Sequence, residues 1–168
     1  MNQENKNQNL FKKIDSMVKQ AEKFSKYEPF QVEQQDDNLN LTYKHGFSHP
    51  FTIDPDNLIV KDIVSKITDK CKKFDDNIKL ETLEIVKWPF NSRMGYHIDG
   101  DSNSSDVFAG MIYLNDNFLG GQTAFDNFQI DAKLGRLLIF SNGHYRHGVR
   151  RVKFNTRYTL SAWYIKND

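Results

Sequence analysis

Cysteine is nearly absent: Cys71 is the only one in 168 residues. No internal disulfide can form, and a cysteine-rich zinc site is excluded. In a helical stretch such a residue reads as a small core side chain. Long apolar runs are missing too, and no stretch approaches the length needed to span a bilayer. The segment from Met1 to Asn9 is rich in Asn, Gln and Lys and has no apolar core of a secretory leader. A cytoplasmic protein with no membrane partner is the expectation. An excess of one charge is also missing. The 23 basic and 22 acidic residues leave a net charge of +1. No basic run is long enough to track a phosphate backbone, so no nucleic-acid partner is expected. These counts leave the oligomeric state open.

Glycine is scarce in one half only. Of nine glycines, Gly46 alone precedes residue 95, and the other eight lie between Gly95 and Gly148. The first half therefore has few tight turns, whereas the second is punctuated like an all-β unit.

The first half carries helical periodicity instead. Leu10, Ile14, Val18 and Ala21, joined by Phe11, Met17 and Phe24, recur at helical spacing, and Pro29 lies past the end. Asp54-Pro55 offers an N-cap followed by a first-turn proline. It predicts a second helix with an apolar face of Ile59, Ile63, Ile67, Cys71 and Phe74. Leu39–Lys44 reads as a short strand and Gly46–Pro50 as a loop. From Ile78 the period changes to two. The expected strands are Lys79–Trp88, Met94–Asp99, Val107–Leu114, Gln122–Phe125, Phe128–Ile130, Arg136–Phe140, Gly148–Val152 and Thr156–Ile165. The length suits a single domain, 1–168. Its class is α+β, mainly β: a helical support region over 1–77, then a jelly-roll core over 78–168.

Two local patterns carry chemistry. In His97-Ile98-Asp99, residues i and i+2 of a strand project to the same side, so an imidazole and a carboxylate stand together. A third ligand, His144 or His147, follows a few strands later. Two histidines and one carboxylate match the facial triad of non-haem Fe(II) oxygenases. In the final strand, alternation puts Arg157, Thr159, Ser161 and Trp163 on one face and Tyr158, Leu160, Ala162 and Tyr164 on the other. An inward arginine is costly unless it meets an anion. An ordinary Arg–Asp pair at the rim would satisfy it, and so would a ligand carboxylate held in its fork.

Six pieces in order, from Trp88 to Tyr164, resemble the prolyl 4-hydroxylase-like branch of the Fe(II)/2-oxoglutarate oxygenases. They are Gly95-Tyr-His97-Ile-Asp99-Gly, Met111-Ile-Tyr-Leu-Asn115, Gly120-Gly-Gln-Thr-Ala-Phe125, Gly135-Arg-Leu-Leu-Ile-Phe140, His147-Gly-Val and Thr156-Arg-Tyr-Thr-Leu-Ser161. The resemblance covers under half of the chain. It implies a double-stranded β-helix (a cupin-like jelly roll) with supporting N-terminal helices. It puts the catalytic iron ligands on His97, Asp99 and His147, and the residue binding the distal carboxylate of 2-oxoglutarate on Arg157, ten residues after His147. Tyr113, Thr123 and Ser161 match positions that contact 2-oxoglutarate. His144 is left as a loop residue. Trp88 stands where family members often have a tyrosine, and no cosubstrate role is assigned to it.

The implied activity is a dioxygenase that hydroxylates a prolyl residue in a peptide or protein, releasing succinate and CO₂. Fe(II) and 2-oxoglutarate are the implied cofactor and cosubstrate, with ascorbate a candidate requirement. The alternatives are the same chemistry on another amino acid or a small metabolite, or a non-catalytic metal-binding cupin-like module. A zinc hydrolase is disfavoured, because no HExxH-type helix supplies a base. The Asp101–Asp106 loop is expected to border the entrance.

Overall fold

The computed structural model describes residues 12–13, 15–19, 48–99 and 106–167. Eleven strands and one principal helix follow in chain order. They are β1 (His49–Thr52), the helix Lys61–Cys71, β2 (Ile78–Trp88), β3 (Met94–His97), β4 (Asp106–Tyr113), β5 (Leu119–Gly120), β6 (Thr123–Phe125), β7 (Gln129–Ile130), β8 (Leu137–Ser141), β9 (His147–Val149), β10 (Val152–Phe154) and β11 (Arg157–Lys166). A five-stranded sheet has the order β1-β2-β11-β4-β8, a four-stranded sheet the order β3-β9-β6-β7, and β10 pairs with β5. Every pairing is antiparallel.

The large sheet has two different faces because its central strands alternate. On β2 and β11, Leu83, Ile85, Tyr158, Leu160, Ala162 and Tyr164 turn to one side and join the main core. Ile63, Val64, Ile67 and Cys71 of the helix close that core from outside. The opposite stripe, with Glu84, Val86, Trp88, Arg157, Thr159, Ser161 and Trp163, faces a cavity instead. Helix and sheet meet most closely at Gly110, where an added Cβ would lie 2.5 Å from Ile67 Cγ2. Gly110→Ala is expected to destabilise the fold by about 1–3 kcal/mol through overpacking, read as a lower midpoint in urea unfolding. Tyr164 anchors the same contact: its hydroxyl meets Thr68 Oγ1 at 2.9 Å, and Thr68 donates onward to the Val64 carbonyl.

Cys71 is fully buried in this core, and burial raises its thiol to about 11, so it stays protonated. Residues 12–13 and 15–19 are helical, with Met17 buried in the same core. Leu10, Phe11, Ile14, Ala21 and Phe24, and the expected strand Leu39–Lys44, lie outside the described residues.

The structure corrects several boundaries. Asp54 accepts from the Asp56 amide within a turn, and the helix begins only at Lys61, after Asn57 has received the Val60 and Lys61 amides. Phe74 lies beyond the helix and is exposed. His49-Pro50, expected in a loop, belong to β1, which pairs with β2 from His49↔Lys87 to Thr52↔Glu84. Proline is tolerated there because β1 is the sheet's edge strand. The expected strand Gly148–Val152 is two strands, β9 and β10, in different sheets. No helix among the described residues is long and apolar enough to cross a membrane.

Candidate metal and anion site

The cavity lies between the two sheets and encloses about 210 Å³. Three side chains converge at the wall formed by the small sheet. His97 ends β3, His147 begins β9, and the two residues are paired in register. Asp99 stands two residues past His97, beyond the end of the strand rather than inside it. One ligand atom from each of the three lies within 4.8 Å of the others. Asp99 Oδ1 is 3.1 Å from His97 Nε2, and Oδ2 is 3.7 Å from His147 Nε2. The Trp163 indole N–H approaches Asp99 Oδ2 at 3.4 Å.

Both imidazoles are oriented the same way. His97 Nδ1 lies 3.0 Å from the Gly95 carbonyl, and His147 Nδ1 lies 3.1 Å from the Tyr145 carbonyl. A carbonyl only accepts, so Nδ1 of each ring donates to it and each Nε2 is turned toward the carboxylate, where His97 Nε2 donates to Asp99 Oδ1 when it holds a proton. This outer hydrogen bond fixes the tautomer that a metal needs. The hydrogen bond to Asp99 raises the His97 pKa, whereas burial lowers that of His147. Burial also pushes against ionisation of Asp99, but His97, the charge of His147 and Trp163 together keep it below its ordinary value. Two imidazole nitrogens, once a metal displaces any proton held between them and the carboxylate, together with ionised Asp99 suit a divalent first-row cation such as Fe(II).

His144 is not part of this group. It is exposed, and its Nδ1 pairs with Ser141 Oγ at 2.9 Å. His147→Ala is therefore expected to abolish binding of a divalent metal, while His144→Ala leaves it largely intact. Assays of the two variants side by side, with metal content measured, decide between the histidines.

Arg157 is fully buried in the large sheet, opposite Trp88 in register. Its Nη2 donates to Thr123 Oγ1 at 3.3 Å and approaches Met111 Sδ at 3.4 Å, but Nε and Nη1 have no partner among the described residues. No carboxylate pairs with it among the described residues. Its guanidinium lies 5.0 Å from the Trp88 ring centre and 5.3 Å from that of Tyr113. Burial lowers its pKa to about 10, and it remains a cation at neutral pH. A buried cation with two unused donors, lining a cavity, is a site prepared for an anion. The rim Arg–Asp pair that the sequence left open is not what the fold builds.

The remaining expected contacts divide. Thr123 and Ser161 line the cavity. Tyr113 does not line it, and its hydroxyl instead meets Thr123 Oγ1 at 2.7 Å. Trp88 does line the cavity, and its buried indole N–H has no partner among the described residues. Tyr96, between the cavity-lining Met94 and His97, does not line the cavity. Its hydroxyl donates to the Phe125 carbonyl at 3.3 Å, and its ring lies against Arg146 and Arg150. Residues 100–105 of the expected entrance loop lie outside the described residues, and Asp106 opens β4.

Two supporting residues had no reading in this role. Gly120 and Gly121 have φ of 74° and 63°, as the expected turn requires. A Cβ on Gly121 would lie 3.1 Å from Arg157 Cδ, so this glycine also makes room for the arginine. Glu84 is the other, a second carboxylate on the cavity wall. Its signal was its spacing from Val86 and Trp88 on one strand face.

No protein-family model matches the chain, and no curated protein matches it. Solved structures do. A collagen prolyl hydroxylase of Paramecium bursaria Chlorella virus 1, in complex with 2OG, is similar with a TM-score of 0.71 at 17% identity, over 94% of this chain and 91% of that one. A prolyl hydroxylase of Trichoplax adhaerens, in complex with a peptide from the oxygen degradation domain of hypoxia inducible factor, gives 0.73 at 19%, over 94% and 78%. A 2OG-Fe(II) oxygenase family protein of Burkholderia pseudomallei gives 0.57 at 22%, over 72% and 66%. At these identities the likeness is one of fold: the chain is folded like the prolyl hydroxylases among the 2OG-Fe(II) oxygenases.

Proposed function

We propose that this chain is an Fe(II)- and 2-oxoglutarate-dependent dioxygenase of the prolyl 4-hydroxylase-like branch, one domain closed as a jelly roll. The observation that carries the reading is one cavity holding both a His–Asp–His cluster and a buried arginine with no counter-ion among the described residues. His97, Asp99 and His147 would hold the iron. Arg157, supported by Thr123 and Ser161, would bind the distal carboxylate of 2-oxoglutarate, with Tyr113 acting through Thr123. Bound together, the two supply oxidative decarboxylation to succinate and CO₂ with hydroxylation of a substrate C–H bond.

The chain's own tasks are geometric and electrostatic. The two backbone carbonyls hold the imidazoles in the metal-binding tautomer. Trp163 restrains Asp99 through its indole N–H. The apolar wall of Val86, Met111, Phe140 and Val149 excludes water from the space between cluster and arginine.

The substrate we propose is a prolyl residue in a peptide or protein, met in the cytoplasm. Two of the similar structures are prolyl hydroxylases, one of them bound to a peptide fragment. A proline-containing segment also loses little entropy on binding in extended form. Proline-rich peptides incubated with Fe(II), ascorbate and 2-oxoglutarate are expected to gain one oxygen, located on proline by fragmentation. A wide proline panel left unmodified, while a free amino acid or other metabolite drives succinate release, would keep the enzyme class and remove the prolyl substrate.

A further inference from the structure

Glu84 has no place in the chemistry above, yet it faces the same cavity. It shares a strand face with Val86 and Trp88, and it is paired in register with Ser161 on β11 and Thr52 on β1. Among the described residues Asp99 is the only other carboxylate on the wall, and it is engaged by His97 and Trp163. Among the described residues no hydrogen bond or ion pair is made by the Glu84 side chain, and burial raises its pKa. Arg157, the one basic residue besides the histidines among the described residues of the lining, enters from a register row four residues along β2, a separation of roughly 13 Å along the strand, and does not pair with it.

The surroundings of Glu84 narrow what could meet it. Thr159 and Ser161 lie on the adjacent strand, between Glu84's strand and β4. Ser48 and Pro50 line the cavity on the β1 side. Trp163, two residues along β11 from Ser161, lines it as well. A half-buried carboxylate near an indole ring is a pairing that attracts ammonium and guanidinium groups, the first by charge and the second also by its face. An unpaired carboxylate costs stability in such a place, and a ligand cation removes that cost.

We propose that Glu84 is a specificity residue that holds a cationic group of the substrate in the cavity lined by the His–Asp–His cluster. This rests on the prolyl-peptide reading and sharpens it: the preferred peptide carries a basic residue next to the hydroxylated one. Arg157 and Glu84 then give the cavity two charges of opposite sign, the first for the cosubstrate and the second for the substrate.

The test is a binding measurement on Zn(II)-loaded protein with 2-oxoglutarate present, so that no turnover is needed. Both tryptophans line the cavity and report occupancy by fluorescence. Four blocked peptides, alike outside the varied pair, carry Lys-Pro, norleucine-Pro, Glu-Pro or Lys-Ala. The wild-type protein is expected to prefer Lys-Pro over norleucine-Pro by about tenfold, as a desolvated charge pair gives. Glu84→Gln should bring the two within about twofold of each other, and Glu84→Lys should turn the preference toward Glu-Pro, which also shows that the variant is folded. Equal binding of Lys-Pro and norleucine-Pro by the wild type, or a lysine preference that survives in Glu84→Gln, overturns the role of Glu84. Lys-Ala bound as well as Lys-Pro, with Glu84 needed for both, supports Glu84 and counts against proline as the reacting residue.

Discussion

Asp99→Ala is expected to eliminate turnover and to weaken Fe(II) binding by more than the roughly 10–100-fold that loss of an outer-shell partner costs. The carboxylate is the one anionic donor in the cluster, and it lies within 3.7 Å of both Nε2 atoms. Without it, two neutral imidazoles remain, and the ring centres are only 4.5 Å apart. The fold should survive, because Asp99 lies outside the main core and follows a strand end. Circular dichroism and a metal-competition titration read the two effects separately. A variant that keeps full activity would remove the His–Asp–His cluster from the chemistry.

Arg157→Ala comes next in size. Truncating one partner of a buried, hydrogen-bonded charge pair costs about 2–5 kcal/mol, which corresponds to a loss of 2-oxoglutarate affinity of roughly 30-fold to several thousand-fold. Arg157→Lys should recover part of this, since the charge returns but the planar fork does not. The same variants will feel a competing effect on stability. Wild-type Arg157 is buried with Nε and Nη1 unpartnered, so alanine also removes an unsatisfied cation and offsets some of the packing lost beside Trp88 and Gly121. A large change in 2-oxoglutarate binding with little change in unfolding midpoint is the expected signature. Unchanged binding in a calorimetric titration would separate Arg157 from the cosubstrate.

Residues on regular strands were legible from the sequence because the period of two converts directly into a face. Arg157, Thr159, Ser161 and Trp163 all line the cavity, and their alternates all enter the main core. His97 and Asp99 also meet as their spacing suggested, although Asp99 has left the strand. The failures share a physical cause, which is that local signals do not carry tertiary pairing. Asp54-Pro55 has the chemistry of a helix start but serves a turn, since Asn57 takes over the first free amides. His49-Pro50 lacks strand character and is held in β1 by its neighbour β2. The carbonyl partners of His97 and His147, and the space that Gly121 leaves for Arg157, depend on backbone paths that no short motif encodes.

The central claim is that iron and 2-oxoglutarate act together in this cavity. It is tested most directly by following succinate and dissolved O₂ in the same vessel, with the protein, Fe(II), 2-oxoglutarate and a panel of peptides, proteins and small molecules. Succinate rising in step with O₂ uptake, only when Fe(II) is present and not in Asp99→Ala, is the expected result. 2-Oxoglutarate left intact across the whole panel, with the iron demonstrably bound, would contradict it.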